Sequence, residues 1–418
     1  MDYIVVGGGI AGLTAACELA GAGGARVTVY EQSRKLGGRG GTETRDGFSL
    51  NHGPHALYRN GIAHRTFTEW KVRVAGRVPR LKGDAYAVLG GGLFAFPADP
   101  VRLLTSGLFR GLEKWSAARA FQWLMGDTPK ASATVSDWLD EKFGVRERPS
   151  RARLFLEALF RVSTYSNALD TMSARAALQQ VRFATKNGVL YLDGGWQMIV
   201  AGLADRAASL GVRVETGAAV ERVESGRVRV AGRDVVCDGV VLAVTPDAVE
   251  SLTGVRMAGL APGLTQIRAA CLDLAMKSLP RQAAVFALGM DTPFYFSRHS
   301  ATARLAPEGA HLVHVAKYLR TGERAQREEL ERFADLAMPA WRQHSTFARY
   351  LPELAVTHAV VTPAGRPGVD ALNLPGVTMA GDWVGAEGML VDGAVASARA
   401  AARKIMSAPA QERKFAAA

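Results

Sequence analysis

Three glycines near the start of the chain, Gly7, Gly9 and Gly12, have the spacing G-x-G-x-x-G. In this spacing the first glycine permits a tight turn, the second lets the backbone approach a diphosphate, and the third lets a helix pack closely on a strand. The segment, which includes Ala11, opens a helix whose unpaired N–H groups and dipole favour an anion. The turn therefore predicts a binding site for the diphosphate of a dinucleotide.

The elements that surround these glycines make the motif more specific. Residues 2–6 and 25–30 are short apolar, β-branched runs typical of buried strands, and residues 13–20 are a helical stretch rich in Ala and Leu. The second strand ends at Glu31, followed by Gln32, about 20 residues after the glycines. A carboxylate there accepts hydrogen bonds from a ribose diol and disfavours a 2′-phosphate. We therefore expect a dinucleotide other than NADP.

A Gly-Gly-Arg sequence formed by Gly37, Gly38 and Arg39 completes a longer pattern. The G-x-G-x-x-G turn, the acidic Glu31 and the Gly-Gly-Arg sequence form one pattern. This pattern resembles the signature of the flavin-dependent amine oxidase and phytoene desaturase superfamily, which includes protoporphyrinogen oxidase. The resemblance implies FAD, with the Gly-Gly-Arg loop along its diphosphate and isoalloxazine. The alternative for Arg39 is a solvated surface charge. No cysteine follows Cys271, so we expect the FAD to be bound non-covalently.

The segment Gly53-Pro54-His55 is similar to one that follows Gly-Gly-Arg in this family and passes near the flavin. The resemblance implies that these three residues contribute to the cofactor site and that His55 is a candidate catalytic residue. The alternative is a histidine whose hydrogen bonds are satisfied by the backbone of a turn. Full FAD content and turnover in a His55→Ala variant would remove the catalytic assignment.

Two later segments extend the resemblance. Val220 lies in a predicted strand and would contact the adenine through its backbone, although a plain buried valine is the alternative. Gly381 and Asp382 end a strand, and Gly393 and Ala394 open a helix. In the family the Gly-Asp pair contacts the ribityl or diphosphate, and the helix N-terminus faces the flavin pyrimidine. A helix dipole there would stabilise negative charge on the reduced flavin.

Two positions depart from the amine oxidases of this family. Those enzymes place aromatic side chains just before the C-terminal helix, where residues 388–392 read Gly-Met-Leu-Val-Asp. They also carry a lysine bridged by water to the flavin, whereas the corresponding strand, residues 269–273, has none. Both departures argue against ordinary amine oxidation. An apolar wall of Met389, Leu390 and Val391 suits a hydrocarbon-like substrate.

Length, cysteine content and charge limit the other functions. The chain has 418 residues, more than one hydrophobic core usually supports, and 48% are hydrophobic, so we expect two globular domains. Three scattered cysteines indicate reduced thiols and a cytoplasmic protein. The net charge of +12 is dispersed and no nucleic-acid-binding module is visible, so we expect no nucleic-acid partner. His311 and His314 would face opposite sides of a strand, so we expect no metal site.

Residues 103–125 are the stretch in which membrane contact is expected if it occurs. Apolar residues that include Leu112, Trp115 and Phe121 recur mostly at helical spacing, and basic residues lie between them. An interfacial membrane helix has this pattern, and desaturases of the superfamily often contact the membrane through an inserted domain. A helix packed against its own domain has the same pattern, so peripheral membrane contact is one of two interpretations.

The expected fold class is α/β, with a Rossmann-type FAD-binding domain interleaved with an α+β substrate domain. The substrate domain would combine a mixed sheet with a helical lobe. The predicted division is FAD-binding parts at 1–60, 186–248 and 366–406, substrate-domain parts at 61–185 and 249–365, a helical lobe at about 95–185, and a tail at 407–418.

Together these features predict an FAD-dependent oxidoreductase that transfers hydride from a hydrophobic substrate to flavin. A carotenoid or isoprenoid desaturase fits best. The alternatives are an oxidase of a porphyrinogen or of a secondary-metabolite amine and, outside enzymes, an FAD-binding scaffold without turnover. Oxygen, a quinone and other electron acceptors are all compatible with the sequence.

Overall fold

The computed structural model describes residues 1–81, 83–145, 147–260 and 264–407, without the side chains of Pro100 and Leu104. The predicted tail at 407–418 lies outside these residues except for Ser407, which ends the last helix. The strands are β1 (Asp2–Val6), β2 (Arg26–Glu31), β3 (Thr42–Arg45), β4 (Phe48–Asn51), β5 (Leu57–Tyr58), β6 (Gly76–Arg77), β7 (Ala85–Leu89), β8 (Gly92–Ala95), β9 (Val189–Leu192), β10 (Arg213–Thr216), β11 (Val220–Glu224), β12 (Arg227–Val230), β13 (Arg233–Val236), β14 (Gly239–Leu242), β15 (Ile267–Met276), β16 (Phe286–Gly289), β17 (Phe294–Ser297), β18 (His311–Leu319), β19 (Ser345–Thr357) and β20 (Val377–Met379). The α-helices are α1 (Ile10–Gly21), α2 (Ile62–Glu69), α3 (Pro100–Thr105), α4 (Glu113–Gly126), α5 (Val135–Phe143), α6 (Arg151–Thr164), α7 (Ala174–Asn187), α8 (Gln197–Ser209), α9 (Pro246–Thr253), α10 (Met257–Leu260), α11 (Arg327–Ala337), α12 (Trp341–His344) and α13 (Leu390–Ser407).

A five-stranded parallel sheet, in the order β10-β2-β1-β14-β20, forms the nucleotide half of the molecule. In its centre Val5 pairs with Val29 on one side and with Val241 on the other, and all three are fully buried. Helices α1, α8 and α13 share a hydrophobic core with one face, and the antiparallel β11–β13 sheet packs on the other. This order is that of a doubly wound nucleotide-binding fold, as predicted.

The second half contains a seven-stranded sheet in the order β19-β15-β18-β17-β16-β7-β8. β7 pairs parallel with β16, and the other neighbours are antiparallel. Because successive strand residues face opposite sides, Leu272 and Val315 pack in one core with α11, whereas Ala269 and Ala316 face the central cavity. The predicted α/β class with a mixed second sheet is confirmed.

Helices α3 to α7 form the helical lobe. Its core contains Trp138 and Phe160, whose rings meet edge to face with centroids 5.9 Å apart. Phe96, which follows β8, contacts Phe286 of β16 edge to face at 5.2 Å and Phe155 of α6 at 6.0 Å, and so joins the lobe to the seven-stranded sheet. Aromatic pairs of this geometry add stabilisation beyond the area they bury, so the lobe is firmly attached to the sheet.

The stretch 103–125, predicted to have one helical face, is two helices separated by residues 106–112. Its apolar side chains do not share a face: Leu108 is fully buried, whereas Leu112 and Trp115 are 85% and 77% exposed. Two glycines lie in the break, and glycine disfavours a helix interior. The prediction of one continuous amphipathic stretch is therefore wrong.

Short elements connect the two halves. Leu57 of β5 pairs with Leu190 of β9, which brings the end of the first nucleotide segment beside the chain that returns from the lobe. Ala63 and Phe67 of α2 pack in the same core as α1 and α13. Within the described ranges, none of the helices combines the length and apolar character needed to cross a membrane.

Candidate active site

A cavity of about 660 Å³ is lined by residues of both sheets. The predicted cofactor-binding residues that line it are Gly7, Gly9, Ala11, Glu31, Gln32, Gly37, Gly38, Arg39, Gly53, Pro54, His55, Val220, Gly381, Asp382 and Ala394. Gly12 and Gly393 are not among the described residues that line it. The fold thus brings together segments from the start, the middle and the end of the chain.

The glycine turn connects β1 to α1 at one edge of the cavity. Gly7 has φ +105°, and a β-carbon on it would lie 2.5 Å from the carbonyl oxygen of Ala243. A β-carbon on Gly12 would lie 1.8 Å from the carbonyl oxygen of Gly7. Gly9 is different, because the nearest described atom to such a carbon is 3.9 Å away. Gly7 and Gly12 therefore serve the turn and the packing, and Gly9 presents bare backbone to the cavity.

Glu31 lies at the end of β2 beside this turn. Its carboxylate accepts hydrogen bonds from the backbone amides of Gly8 and Ser33, at 2.7 and 2.8 Å. No side chain among the described residues caps α1 at Gly9, so the amides of its first turn remain available to an anion. The bare backbone at Gly9 and the N-terminus of α1 provide donors for the diphosphate of FAD. The Glu31 carboxylate provides an acceptor for its ribose.

Arg39 joins the first nucleotide segment to the last. Its Nη1 donates to Asp382 Oδ2 at 2.7 Å and to the carbonyl oxygen of Val356 at 2.7 Å. Burial would raise the pKa of Asp382, but the Arg39 guanidinium outweighs this effect and holds that pKa below its ordinary value. Arg39 is therefore paired with a buried carboxylate in the cavity wall, although 39% of its side chain stays exposed.

His55 lies in the cavity wall beside Trp196, and the two ring centroids are 5.3 Å apart. Its Nδ1 is 2.9 Å from the carbonyl oxygen of Gly53. Since a carbonyl oxygen only accepts, Nδ1 carries the proton and Nε2 keeps an acceptor lone pair. Burial lowers the pKa of His55 to about 4, and this cause outweighs the Gly53 bond, which alone would raise it. The imidazole is therefore neutral at physiological pH.

Uncharged residues that the sequence reasoning missed form much of the remaining wall. They are Tyr165, Trp196, Ala269, Ala316, Tyr318, Leu354 and Val356, together with Leu390 and Val391, which were predicted as an apolar wall. Met389 of that predicted wall is not among the described lining residues. Tyr165 and Leu390 have φ of 57° and 54°, uncommon for such side chains. Strict alternation along β15 and β18 was the signal that could have identified Ala269, Ala316 and Tyr318.

Arg366 was also missed, and it holds the segment that leads into α13. It donates to the carbonyl oxygens of Asp382, Gly385, Glu387 and Gly388, at 2.7, 2.8, 3.0 and 2.7 Å. Burial lowers its pKa. A β-carbon on Gly393 would lie 2.9 Å from Arg366 Nη1. Gly393 therefore makes room for this brace, whereas Ala394 lines the cavity.

A fully buried cluster lies on the cavity-facing side of β15 and β18. Asp273 Oδ1 is 2.6 Å from His314 Nδ1 and 3.2 Å from Cys271 Sγ. The three ligand-type atoms lie within 4.8 Å of one another, a spacing that a metal ion could use. Arg349 Nε donates to Asp273 Oδ2, however, so a guanidinium already supplies the positive charge that a metal ion would bring to this carboxylate. His311, at the start of β18, is only half-buried.

Comparison with known proteins shows the family to which this sequence belongs. The family described as flavin containing amine oxidoreductase matches residues 10–406. A carotenoid 3,4-desaturase from Haloarcula japonica is 28% identical over 262 residues, which cover 53% of this chain and 50% of that protein. A phytoene dehydrogenase from Streptomyces griseus is 27% identical over 288 residues, which cover 58% and 54%. The matches thus span about half the length of these relatives.

The fold has solved counterparts. The crystal structure of an oxidoreductase from Methanosarcina mazei superposes on this chain with a TM-score of 0.73 at 18% identity. The superposition covers 98% of this chain and 100% of that one. This likeness supports the fold. The family match confirms the predictions of an oxidoreductase and of FAD as its cofactor. The chain belongs to the flavin-containing amine oxidoreductase family.

Proposed function

We propose that this chain desaturates a neutral, hydrophobic substrate of the carotenoid or other isoprenoid type. The observation that carries the proposal is that every Asp, Glu and Arg among the described lining residues already has a protein partner. Arg39 pairs with Asp382, Glu353 pairs with Arg268, and Glu31 accepts two backbone amides. The ion pairs neutralise Arg39, Asp382 and Glu353, and Glu31 lies beside the glycine turn, so an ammonium or carboxylate on the substrate would lack a free counter-charge elsewhere in the cavity.

The names of the relatives agree with this substrate class, since two of them are called a carotenoid desaturase and a phytoene dehydrogenase. The aromatic and aliphatic side chains of the cavity wall offer an apolar surface to such a molecule. The small side chains of Ala269 and Ala316 leave room between the two sheets. Contact area and exclusion of water would supply the binding energy.

Desaturation removes a hydride from one carbon and a proton from its neighbour, and a double bond forms between the two carbons. FAD, when bound, supplies the hydride acceptor. We assign the proton to His55, whose Nδ1–H is held by Gly53 and whose Nε2 keeps the lone pair. Because its pKa is about 4, His55 is unprotonated before the reaction and releases the proton readily afterwards.

Other chain residues would hold the cofactor. The turn from Gly7 to Ala11 would bind the diphosphate, Glu31 the ribose, and Asp382, held by Arg39, the ribityl chain. Ala394, near the N-terminus of α13, lines the cavity where a helix dipole favours negative charge. Oxygen, a quinone or another carrier would take the electrons from the flavin and complete the cycle.

Oxidation of a neutral amine is the second candidate, because the family description names amine oxidoreduction. The test is to incubate FAD-loaded protein separately with phytoene in detergent micelles, protoporphyrinogen and a primary amine, and to identify products by mass spectrometry. Loss of a pair of hydrogens from phytoene alone is the expected result. Oxidation of the amine or the porphyrinogen instead would overturn the assignment, and no product from any of them would favour the scaffold.

We also propose that the helical lobe contacts a membrane surface, where such substrates dissolve. Leu112 and Trp115 are 85% and 77% exposed at the start of α4, and Val101 of α3 is 69% exposed. The basic residues Arg110 and Lys114 neighbour them in the chain. Large apolar side chains beside basic ones are typical of interfacial contact. We therefore propose a cytoplasmic protein that binds peripherally to the membrane surface.

A further inference from the structure

An ion pair between Asp273 and Arg349 lies next to the cavity, although neither residue is among the described residues that line it. Asp273 of β15 is fully buried, and the Arg349 side chain of β19 is 16% exposed. Arg349 Nε and Nη2 donate to Asp273 Oδ2, at 2.9 and 2.5 Å. Burial would raise the pKa of Asp273, but His314 and Arg349 hold it below its ordinary value. Asp273 is therefore a buried carboxylate that the chemistry above does not use.

A series of hydrogen bonds connects this pair to His55. Arg349 Nη2 also donates to the backbone carbonyl oxygen of Asn51. The same oxygen accepts the amide of Gly53 at 2.9 Å. The carbonyl oxygen of Gly53 in turn accepts Nδ1–H of His55 at 2.9 Å. The guanidinium therefore holds the end of β4 from which the His55 turn begins.

A second branch reaches the ring of His55. The side-chain oxygen of Asn51 accepts the backbone amide of Trp196 at 3.0 Å, and the Trp196 ring packs beside His55. Gly53 is confined as well, because it has φ +83° and a β-carbon on it would lie 2.8 Å from Leu354 Cδ1. Asn51 thus helps to fix the backbone of His55 through Gly53 and the ring of His55 through Trp196.

The ion pair needs an explanation other than stability. Replacing a buried ion pair by packed apolar side chains is often neutral or stabilising, so such a pair is weak evidence for a stabilising role. Arg349 uses its planar set of donors to join β19 to β15, to Asn51 of β4 and to Glu43 of β3, the last at 3.2 Å. It therefore ties the substrate sheet to the segment that carries the candidate base.

We propose that Arg349 and Asp273 are positioning residues, which fix His55 in the cavity wall at the place where it accepts the substrate proton. The inference rests on the proposed function of His55. Neither residue lines the cavity among the described residues, so neither contacts the reacting atoms. They act through Asn51 and Gly53.

The first test uses histidine-selective ¹⁵N NMR on the FAD-loaded protein and measures the pKa of His55, with the resonance assigned by His55→Gln. Burial, His52, His314 and Arg39 lower that pKa to about 4 in the parent protein. Arg349→Met loosens the turn and admits water, so the pKa is expected to rise toward about 6.5. An unchanged His55 pKa in this variant would overturn the inference.

Two variants separate positioning from a general structural role. Arg153→Met is the matched control, because Arg153 is also 16% exposed and pairs with two carboxylates, Asp140 at 2.5 Å and Glu157 at 3.0 Å, in the helical lobe. It is expected to leave the His55 pKa unchanged. Arg349→Lys keeps the charge but not the planar fork, so it is expected not to restore that pKa. Full restoration by Lys would show simple charge compensation and contradict positioning.

The second test is a double-mutant cycle on the rate of anaerobic flavin reduction by phytoene in detergent micelles. Misplacement of a reacting group costs on the order of 100-fold in rate. If Arg349 acts through His55, Arg349→Met lowers the rate by this factor in the parent and by little in His55→Gln. Equal losses in both backgrounds would overturn positioning and leave the role of His55 intact.

The outcomes also distinguish this inference from the proposed function. A parent rate that His55→Gln does not change would remove the catalytic role of His55 and the inference with it. A parent protein that phytoene does not reduce would contradict the proposed substrate, whereas the NMR titration would still decide whether Arg349 fixes His55. Retained FAD content and a cooperative thermal transition in both Arg349→Met and Arg349→Lys establish that the variants are folded.

Discussion

At the scale of single residues, steric limits decide which glycines the nucleotide site requires. The 1.8 Å between a β-carbon at Gly12 and the Gly7 carbonyl oxygen is far below any real contact. The close approach of α1 to β1 therefore depends on Gly12, although Gly12 does not contact the cavity. Gly21 lies in the same helix, and outside the neighbouring helix backbone no described atom lies within 4 Å of a β-carbon there.

We predict that Gly12→Ala lowers FAD content and the free energy of unfolding, because overpacking of a fixed backbone contact costs about 1–3 kcal/mol or more. Flavin absorbance of the purified protein and denaturant melts measure the two effects. Gly21→Ala is the control and should be neutral or stabilise by about 0.5–1 kcal/mol. Comparable FAD loss in both variants would show that steric exclusion at Gly12 is not the cause.

Asp392 is a second residue with a specific energetic role. Its Oδ1 accepts the backbone amide of Ala63 at 2.8 Å, at the start of α2, and a β-carbon on Gly61 would lie 2.4 Å from its Oδ2. Burial raises its pKa from the ordinary 3.8 to about 6, and the Ala63 amide and Arg65 offset only part of this effect. The folded protein therefore binds this proton more tightly than the unfolded chain does.

This shift predicts the pH dependence of an Asp392→Asn variant. Because the folded pKa is raised, the parent protein loses stability as the pH rises from about 4 to about 6, by up to about 3 kcal/mol. Asn stays uncharged and keeps an oxygen for the Ala63 amide. Denaturant melts should therefore show Asp392→Asn to be more stable than the parent at pH 8 and nearly equal at pH 4. An equal difference at both pH values would contradict the assignment.

Sequence reasoning placed residues in the cavity wall where a local motif or a family resemblance marked them, and missed residues that carry neither. Gly7, Gly9 and Glu31 could be predicted because turn, helix start and acid lie within one short unit of chain. Asp273 and Arg349 are 76 positions apart and meet only because β15 and β19 pair. Neither belongs to a motif, so only the structure could bring them together.

At the scale of elements, Arg366 braces the segment between β20 and α13 through its backbone. Arg366 donates to four backbone carbonyl oxygens, and each hydrogen bond to a charged donor contributes about 1.5–3 kcal/mol. This segment contains Asp382 and leads to Leu390, whose φ of 54° requires firm support. The shape of the cavity at the start of α13 therefore depends on Arg366.

We predict that Arg366→Ala lowers FAD affinity at least about 10-fold and reduces Tm, because the carbonyl groups lose their donors and the segment relaxes. FAD binding by fluorescence quenching and thermal melts measure both effects. Arg403→Ala, which removes an exposed arginine of α13 paired with Glu18, is the control and should change neither. Normal FAD affinity in Arg366→Ala would contradict the bracing role.

The start of α4 is the element that we expect at a membrane surface. Trp115→Ser combined with Leu112→Ser removes its exposed apolar side chains and should reduce flotation with anionic phosphatidylglycerol vesicles severalfold. Val236→Ser is the matched control, since Val236 is 68% exposed on β13. Absence of flotation by the parent protein, or equal loss in the control, would contradict membrane contact through α4.

At the scale of the whole molecule, the two sheets enclose one cavity that reaches from the glycine turn to the seven-stranded sheet. In the nucleotide half the unit of β1, α1 and β2 could be predicted, because its elements are consecutive in the chain, whereas β10, β14 and β20 join the sheet from distant segments. The second half could be predicted only in class, since the pairing of β7 with β16 joins segments about 200 residues apart. The uncharged wall of the cavity comes from β15, β18 and β19, whose pairing also joins distant segments, and it supports the proposed substrate class.

The most direct test of the central claim is an anaerobic titration of the FAD-loaded protein with phytoene in detergent micelles, followed by the visible absorbance of the flavin. Loss of that absorbance on addition of phytoene, but not of empty micelles or a primary amine, is the predicted result. A flavin that dithionite reduces but phytoene leaves oxidised, while the amine bleaches it, would contradict a desaturase with a neutral substrate.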